Sequence, residues 1–168
     1  MPANPAHAPR AAIRTRKAGR GDIDALIELE RRVFATDRLS RRSLQRFLQS
    51  RSAELIVAHD GARLAGTAIV LFRARSLCAR LYSIAVAPQL AGRGVAAMLL
   101  DAAEAAALDR GCRAMHLEVH HTNHAAVARY RKSGYQQFAR HRRYYEDGGD
   151  ALRFEKQLVQ EGGNPLPE

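Results

Sequence analysis

The chain of 168 residues has no tryptophan, few aromatics of any kind (6%), two cysteines, and only 17 acidic residues against 27 lysines and arginines. Each scarcity closes something off. Cys78 and Cys112 lie far apart without metal-ligand spacing, which leaves neither a zinc site nor a disulfide framework. They read as small apolar residues. No apolar run approaches the roughly 20 residues needed to cross a bilayer. The opening stretch Met1 to Lys17, rich in Ala, Pro and Arg, lacks the apolar core of a secretory signal. These features predict a cytoplasmic protein without a membrane partner. The basic surplus, a formal net charge of +10, attracts polyanions. Its arginines are scattered, however, with no helix-turn-helix spacing, zinc finger or aromatic–glycine RNA-binding signature. Direct nucleic-acid binding is not expected.

What is present is an alternation of periodicities that predicts one domain over residues 12–159, with loose tails at 1–11 and 160–168. Ala12–Lys17 reads as a strand. Asp22 is a candidate N-cap for a helix carrying Ile23, Leu26, Ile27, Leu29 and Phe34, and Ser40 for one carrying Leu44, Phe47 and Leu48. Strand patterns at Leu55–Ala58 and Ala65–Phe72 flank the turn signal His59-Asp60-Gly61. Arg80–Ala87 is a further strand, ended by Pro88. A helix follows from Gly94 to Arg110, with Gly111 suited to its end. Ala114–Val119 alternates as a strand, and Asn123 opens a helix that stops before Gly134. Strands over Tyr135–Tyr145 and Ala151–Leu158, joined by Glu-Asp-Gly-Gly-Asp, suggest a hairpin. The order β-α-α-β-β-β-α-β-α-β-β predicts a mixed α/β (α+β) layer fold.

Chemistry concentrates between Arg80 and Gly134. The strand Leu81–Val86 runs through Pro88 into Ala91-Gly92-Arg93-Gly94-Val95-Ala96 and then directly into a helix. Glycines at a strand-to-helix junction let backbone N–H groups approach an anion, and the helix N-terminus adds unsatisfied donors and a positive dipole end. That suits a pyrophosphate, although two glycines in a tight turn can serve geometry alone.

This loop resembles the acetyl-CoA loop of the GNAT superfamily, whose pattern is Arg/Gln-x-x-Gly-x-Gly/Ala. Gln89–Gly94 fits the pattern literally, but the spacing from strand end to helix selects Ala91 to Ala96. Ala91 then stands where the family has Arg or Gln, a departure that Gln89 or Arg93 could offset. The run Leu117-Glu118-Val119, then Asn123, Tyr130 and Gly134-Tyr135, is similar to the signature of the ribosomal-protein N-terminal alanine acetyltransferase branch. Arg142-Arg143-Tyr144-Tyr145 with Asp147-Gly148 and Asp150-Ala151 adds to the likeness. The resemblance implies a GNAT-type fold, with a mostly antiparallel central sheet flanked by helices. It implies acetyl-CoA held by Ile84, Ala85, Val86, Ala91, Gly92, Arg93, Gly94, Val95, Ala96, Ala97 and Asn123. It also implies Glu118 as general base and Tyr130 as general acid for acetylation of a protein α-amine, with a ribosomal protein among the acceptors that fit.

The residues suit that work independently. Along Ala114–Val119, Met115, Leu117 and Val119 share one face and leave His116 and Glu118 on the other. A carboxylate beside a cleft can take a proton from an ammonium, and an α-amine near pKa ~8 needs less help than a lysine near ~10.4. A backbone N–H near Ile84 to Val86 could meet the oxyanion, and the Tyr130 phenol could protonate the leaving thiolate. Bland rivals exist: a surface ion pair for Glu118, ring packing for Tyr130, a plain N-cap for Asn123. Tyr144 and Tyr145 either pair across the last hairpin or line the acceptor groove. His120, His121 and His124 lack a third ligand and a common helix, so no metal is expected. Other readings are acetylation of a small amine or a lysine, or a non-catalytic acetyl-CoA sensor. Monomer and homodimer both remain open.

Overall fold

The computed structural model describes residues 12–158; the tails expected at 1–11 and 160–168 lie outside the described residues. The elements follow the predicted order. They are β1 (Ile13–Lys17), α1 (Ile23–Val33), α2 (Arg41–Gln49), β2 (Ala53–Asp60), β3 (Arg63–Leu71), β4 (Cys78–Val86), α3 (Val95–Asp109), β5 (Ala114–His120), α4 (His124–Lys132), β6 (Gln136–His141) and β7 (Ala151–Gln157). Short 3-10 turns at Arg20–Asp22 and Pro88–Leu90 precede α1 and follow β4. The strands form one sheet in the order β1-β2-β3-β4-β5-β7-β6. Among the described strands only β4–β5 is parallel, and α3 is the crossover that a parallel neighbour requires. The last strand, β7, lies between β5 and β6, an arrangement that local pattern does not dictate.

The two halves of the sheet are covered differently. Ile56, Val70 and Leu81 pack with Leu99, Leu100 and Ala103 of α3 on one face. On the other face Leu55, Val57 and Ile69 pack with Leu26 of α1 and Leu44 of α2. Strands β2 and β3, covered on both faces, therefore read as nearly unbroken apolar runs. In β5 the alternation is clean: Met115, Leu117 and Val119 join the α3–α4 core, whereas His116, Glu118 and His120 face the side that α1 and α2 leave open. Leu99 is fully buried, and truncation there to alanine costs about 2–5 kcal/mol.

Two expected caps form: Ser40 Oγ accepts the Ser43 N–H at 3.1 Å, and Asn123 Oδ1 accepts the Ala126 N–H at 3.2 Å. Asp22 stands at the expected N-cap position of α1, but its side chain makes no capping bond to that helix. Asp22 closes the preceding 3-10 turn in helical backbone geometry. Its carboxylate turns back to accept the Gly19 N–H at 2.7 Å and both terminal nitrogens of Arg16 at 2.8 Å. Phe34 likewise falls just beyond α1, in extended conformation. The strand expected over Tyr135–Tyr145 ends at His141. There Asp150 gathers the Arg140 Nε at 2.6 Å and the Arg143 N–H at 3.0 Å, and Arg143 adopts φ 51°, which turns the chain out of the sheet.

Candidate active site

Strands β4 and β5 pair only from Cys78–Leu81 against Ala114–Leu117. Beyond that point they part, and β4 runs on to Val86 and β5 to His120 without meeting. A bulge explains the divergence: Val70 of β3 faces Leu81, while the adjacent Ile69 faces Ser83, so Tyr82 is an extra residue in β4. Such an insertion bends its strand. The gap opens a cleft of about 650 Å³, walled by the ends of both strands, the start of α4, the segment 33–37 with Leu39, and Tyr144 with Tyr145. Glu118, Asn123, Tyr130 and Ile84 all line it. Ala85, Val86 and residues 91–97 do not; they continue from the end of β4 into the turn that opens α3.

At that turn Gly92 and Gly94 have φ of 80° and 77°, a region closed to most side chains, and a Cβ on either would point into open space. The Arg93 N–H donates to the Leu90 carbonyl and the Met98 N–H to that of Gly94. Among the described residues, the N–H groups of Gly94, Val95, Ala96 and Ala97 meet no acceptor, as the first turn of a helix requires. This cluster of donors at a positive dipole end fits a pyrophosphate. The two side chains expected to stand in for the family's Arg or Gln are engaged elsewhere. Gln89 Oε1 accepts from Arg32 at 2.9 Å, and Arg93 pairs with Asp60 at 2.8 Å. The cradle is therefore a backbone one. It also depends on a residue the sequence did not advertise. A Cβ on Gly66 of β3 would stand 2.6 Å from the Ala85 carbonyl oxygen and 2.9 Å from Leu99 Cδ1. Only glycine lets α3 sit this close to the sheet.

At the other end the groups are side chains. The Glu118 carboxylate accepts the Arg80 Nε at 3.0 Å and lies 3.5 Å from the Arg153 Nε. Arg80 also donates through Nη2 to the Tyr144 hydroxyl at 3.1 Å. Tyr130 comes from α4, on the opposite face of the sheet from Glu118, and its ring packs edge-on against Tyr135 at 5.8 Å. Burial pushes its phenol up to about 12. Tyr145, half-buried in the same cleft, is pushed up to about 12, first by burial and then by Tyr144 and Glu118 nearby. It is thus a second protonated phenol. Tyr144 and Tyr145 both line the cleft and also contact one another, with centroids 5.0 Å apart.

The histidines fasten the wall that carries these tyrosines. His120 Nδ1 accepts the Thr122 N–H at 3.2 Å, so Nε2 carries the proton donated to Asp147 at 2.8 Å. Its ring stacks on Tyr145 at 4.9 Å. His121 Nδ1 accepts the Asp150 N–H at 3.0 Å. Arg80, expected only as the start of a strand, had one legible signal of a further role: an arginine in a mostly apolar strand that leads to the glycine loop.

Residues 23–135 match the model of the acetyltransferase (GNAT) family. The chain is 31% identical over 101 residues to N-alpha-acetyltransferase 30 of Schizosaccharomyces pombe, spanning 58% of this chain and 67% of that protein. It is 28% identical over 144 residues, 85% of this chain and 93% of the relative, to a Bacillus subtilis protein provisionally named ribosomal protein bS18-alanine N-acetyltransferase. The crystal structure of the ribosomal-protein-S18-alanine N-acetyltransferase from Escherichia coli superposes with a TM-score of 0.79 at 25% identity, covering 91% of this chain and 98% of its own. No helix among the described residues is long and apolar enough to cross a membrane. The chain belongs to the acetyltransferase (GNAT) family and is an acetyl-CoA-dependent N-acetyltransferase.

Proposed function

We propose that the acceptor is the N-terminal α-amine of a protein or peptide, with Glu118 as base and Tyr130 as acid. The observation that carries this reading is the meeting of Glu118 and Tyr130, from opposite faces of the sheet, in the one cleft where β4 and β5 part. The relatives' names supply the acceptor class: two are named for ribosomal-protein alanine N-acetylation and one as an N-alpha-acetyltransferase. A ribosomal protein in the cytoplasm is thus one acceptor that fits.

Bound acetyl-CoA supplies the thioester carbonyl, with its pyrophosphate at the N–H groups of Gly94 to Ala97. Glu118 takes a proton from the α-ammonium, directly or through one water, and the free amine attacks that carbonyl. A backbone N–H of Ile84 to Val86, on the β4 stretch that has left β5, meets the developing oxyanion. As the carbon–sulfur bond breaks, the Tyr130 phenol gives its proton to the thiolate. A phenol held near 12 stays protonated at neutral pH, as a proton donor must. Asn123 fixes the start of α4 and so the place of Tyr130, about two turns further along the same helix.

The test is acetyl transfer to N-terminal peptides, lysine peptides and small amines, with Glu118→Gln and Tyr130→Phe alongside. Transfer to α-amines should fall roughly 10²–10⁴-fold in each variant, with acetyl-CoA binding retained by calorimetry. Preference for lysine or small amines, or full activity of both variants, would reject the reading.

A further inference from the structure

We propose that this enzyme selects acceptors with a carboxylate beside the reactive amine, an acidic side chain on the first or second residue, and that Arg80 and Arg153 make the selection. This inference rests on the peptide-amine reading above.

The sheet register sets the geometry. Arg153 on β7 is directly opposite Glu118 on β5. Arg80 on β4 is opposite His116, one pleat repeat before Glu118 and on the same face. Two guanidiniums therefore converge on one carboxylate, Arg80 Nε at 3.0 Å from Oε2 and Arg153 Nε at 3.5 Å from Oε1. Two nearby carboxylates hold partners other than these arginines. Glu155 lies 3.5 Å from His116, and Glu30 holds the Leu39 N–H at 2.9 Å. Within the trio itself, two guanidiniums against one carboxylate leave a net positive charge on the groups that touch the proposed base.

An acceptor arrives as an ammonium, a third cation for the same carboxylate. With a neutral or basic acceptor, both guanidiniums stay on Glu118 and repel the incoming charge. A carboxylate on the acceptor changes this. The planar fork of a guanidinium binds it through paired N–H donors, and one oxygen of Glu118 is released to receive the ammonium proton.

The placement of the two arginines supports recognition rather than support of Glu118 alone. Their side chains remain 41% and 38% exposed while that of Glu118 is 12% exposed. Each lies over an exposed ring at the cleft side of the sheet, Arg80 over Tyr82 at 5.7 Å and Arg153 over Phe138 at 5.0 Å. Rings in such positions hold a guanidinium flat and ready without covering its edge.

The experiment measures kcat/KM for peptides identical except at residues one and two, where Asp, Glu, Ser or Lys is placed in turn. Wild type should favour the acidic peptides over the Ser peptide roughly tenfold, with the Lys peptide lowest. Arg153→Gln and, separately, Arg80→Gln should shrink the acidic-to-Lys spread whatever they do to absolute rates, while Arg80→Lys should preserve its direction. Equal rates across the series, or preference for Lys, overturns the selection and leaves the peptide-amine reading intact. Turnover of lysine peptides or small amines with none of any N-terminal peptide overturns both.

Discussion

At the turn that opens α3, the groups proposed to hold the cofactor belong to the main chain: four N–H donors, two glycines at positive φ, and a helix brought close to the sheet by Gly66. At the acceptor end they are side chains drawn from β4, β5, β7 and the connection 142–150, joined as Tyr144–Arg80–Glu118–Arg153. Donors fixed by backbone geometry suit a group that every turnover shares. A network of side chains can be rewired without disturbing the fold, and so suits the partner that distinguishes one enzyme from another.

This contrast can be broken from either side. The largest effect is expected at Gly94, whose φ of 77° no β-branched residue tolerates. Gly94→Val should raise the KM for acetyl-CoA roughly tenfold or more and leave the acceptor KM nearly unchanged in steady-state assays. Next is Gly66→Ala. Overpacking against Ala85 and Leu99 should cost about 1–3 kcal/mol in denaturant unfolding and weaken acetyl-CoA binding by lifting α3. Tyr144→Phe removes one hydrogen bond to Arg80 and should raise the acceptor KM about two- to fivefold, with the acetyl-CoA KM unmoved.

The smallest effect is alkaline. Tyr130 and Tyr145 have folded-state values raised to about 12 from an unfolded value near ~10. Their neutral forms therefore favour the fold below pH ~10, and that contribution is lost as pH rises from ~10 towards ~12. The melting temperature should decline over that window, and less steeply in Tyr130→Phe/Tyr145→Phe than in wild type.

The main-chain end was the legible one. Glycines, caps and helix starts act through residues adjacent in sequence, so Gly92, Gly94, Ser40 and Asn123 could be placed from local pattern. The direction of the Asp22 side chain could not, because its competing partner, Arg16, lies on the strand before the turn, and capping rules do not weigh such a rival. The strand that should have reached Tyr145 stops at His141 for a similar reason: Asp150, across the hairpin connection, captures Arg140 and Arg143. Interposing β7 between β5 and β6 depends on pairing across the whole sheet, which no window of ten residues contains. Arg80 and Glu118 are 38 residues apart, and only the parallel register makes them neighbours. Gly66 carries no local signal, because what demands a glycine there is the close approach of the Ala85 carbonyl and of Leu99 from α3.

The brief pairing of β4 with β5 has one more consequence. The cleft draws on both faces of the sheet, α4 on one and the segment 33–39 with Tyr144 and Tyr145 on the other. Two reactants can then enter from opposite directions, lie head to head, and be present together. A chain built this way has no need to carry the acyl group on one of its own side chains between two half-reactions. Its kinetics should show both substrates assembled before either product leaves.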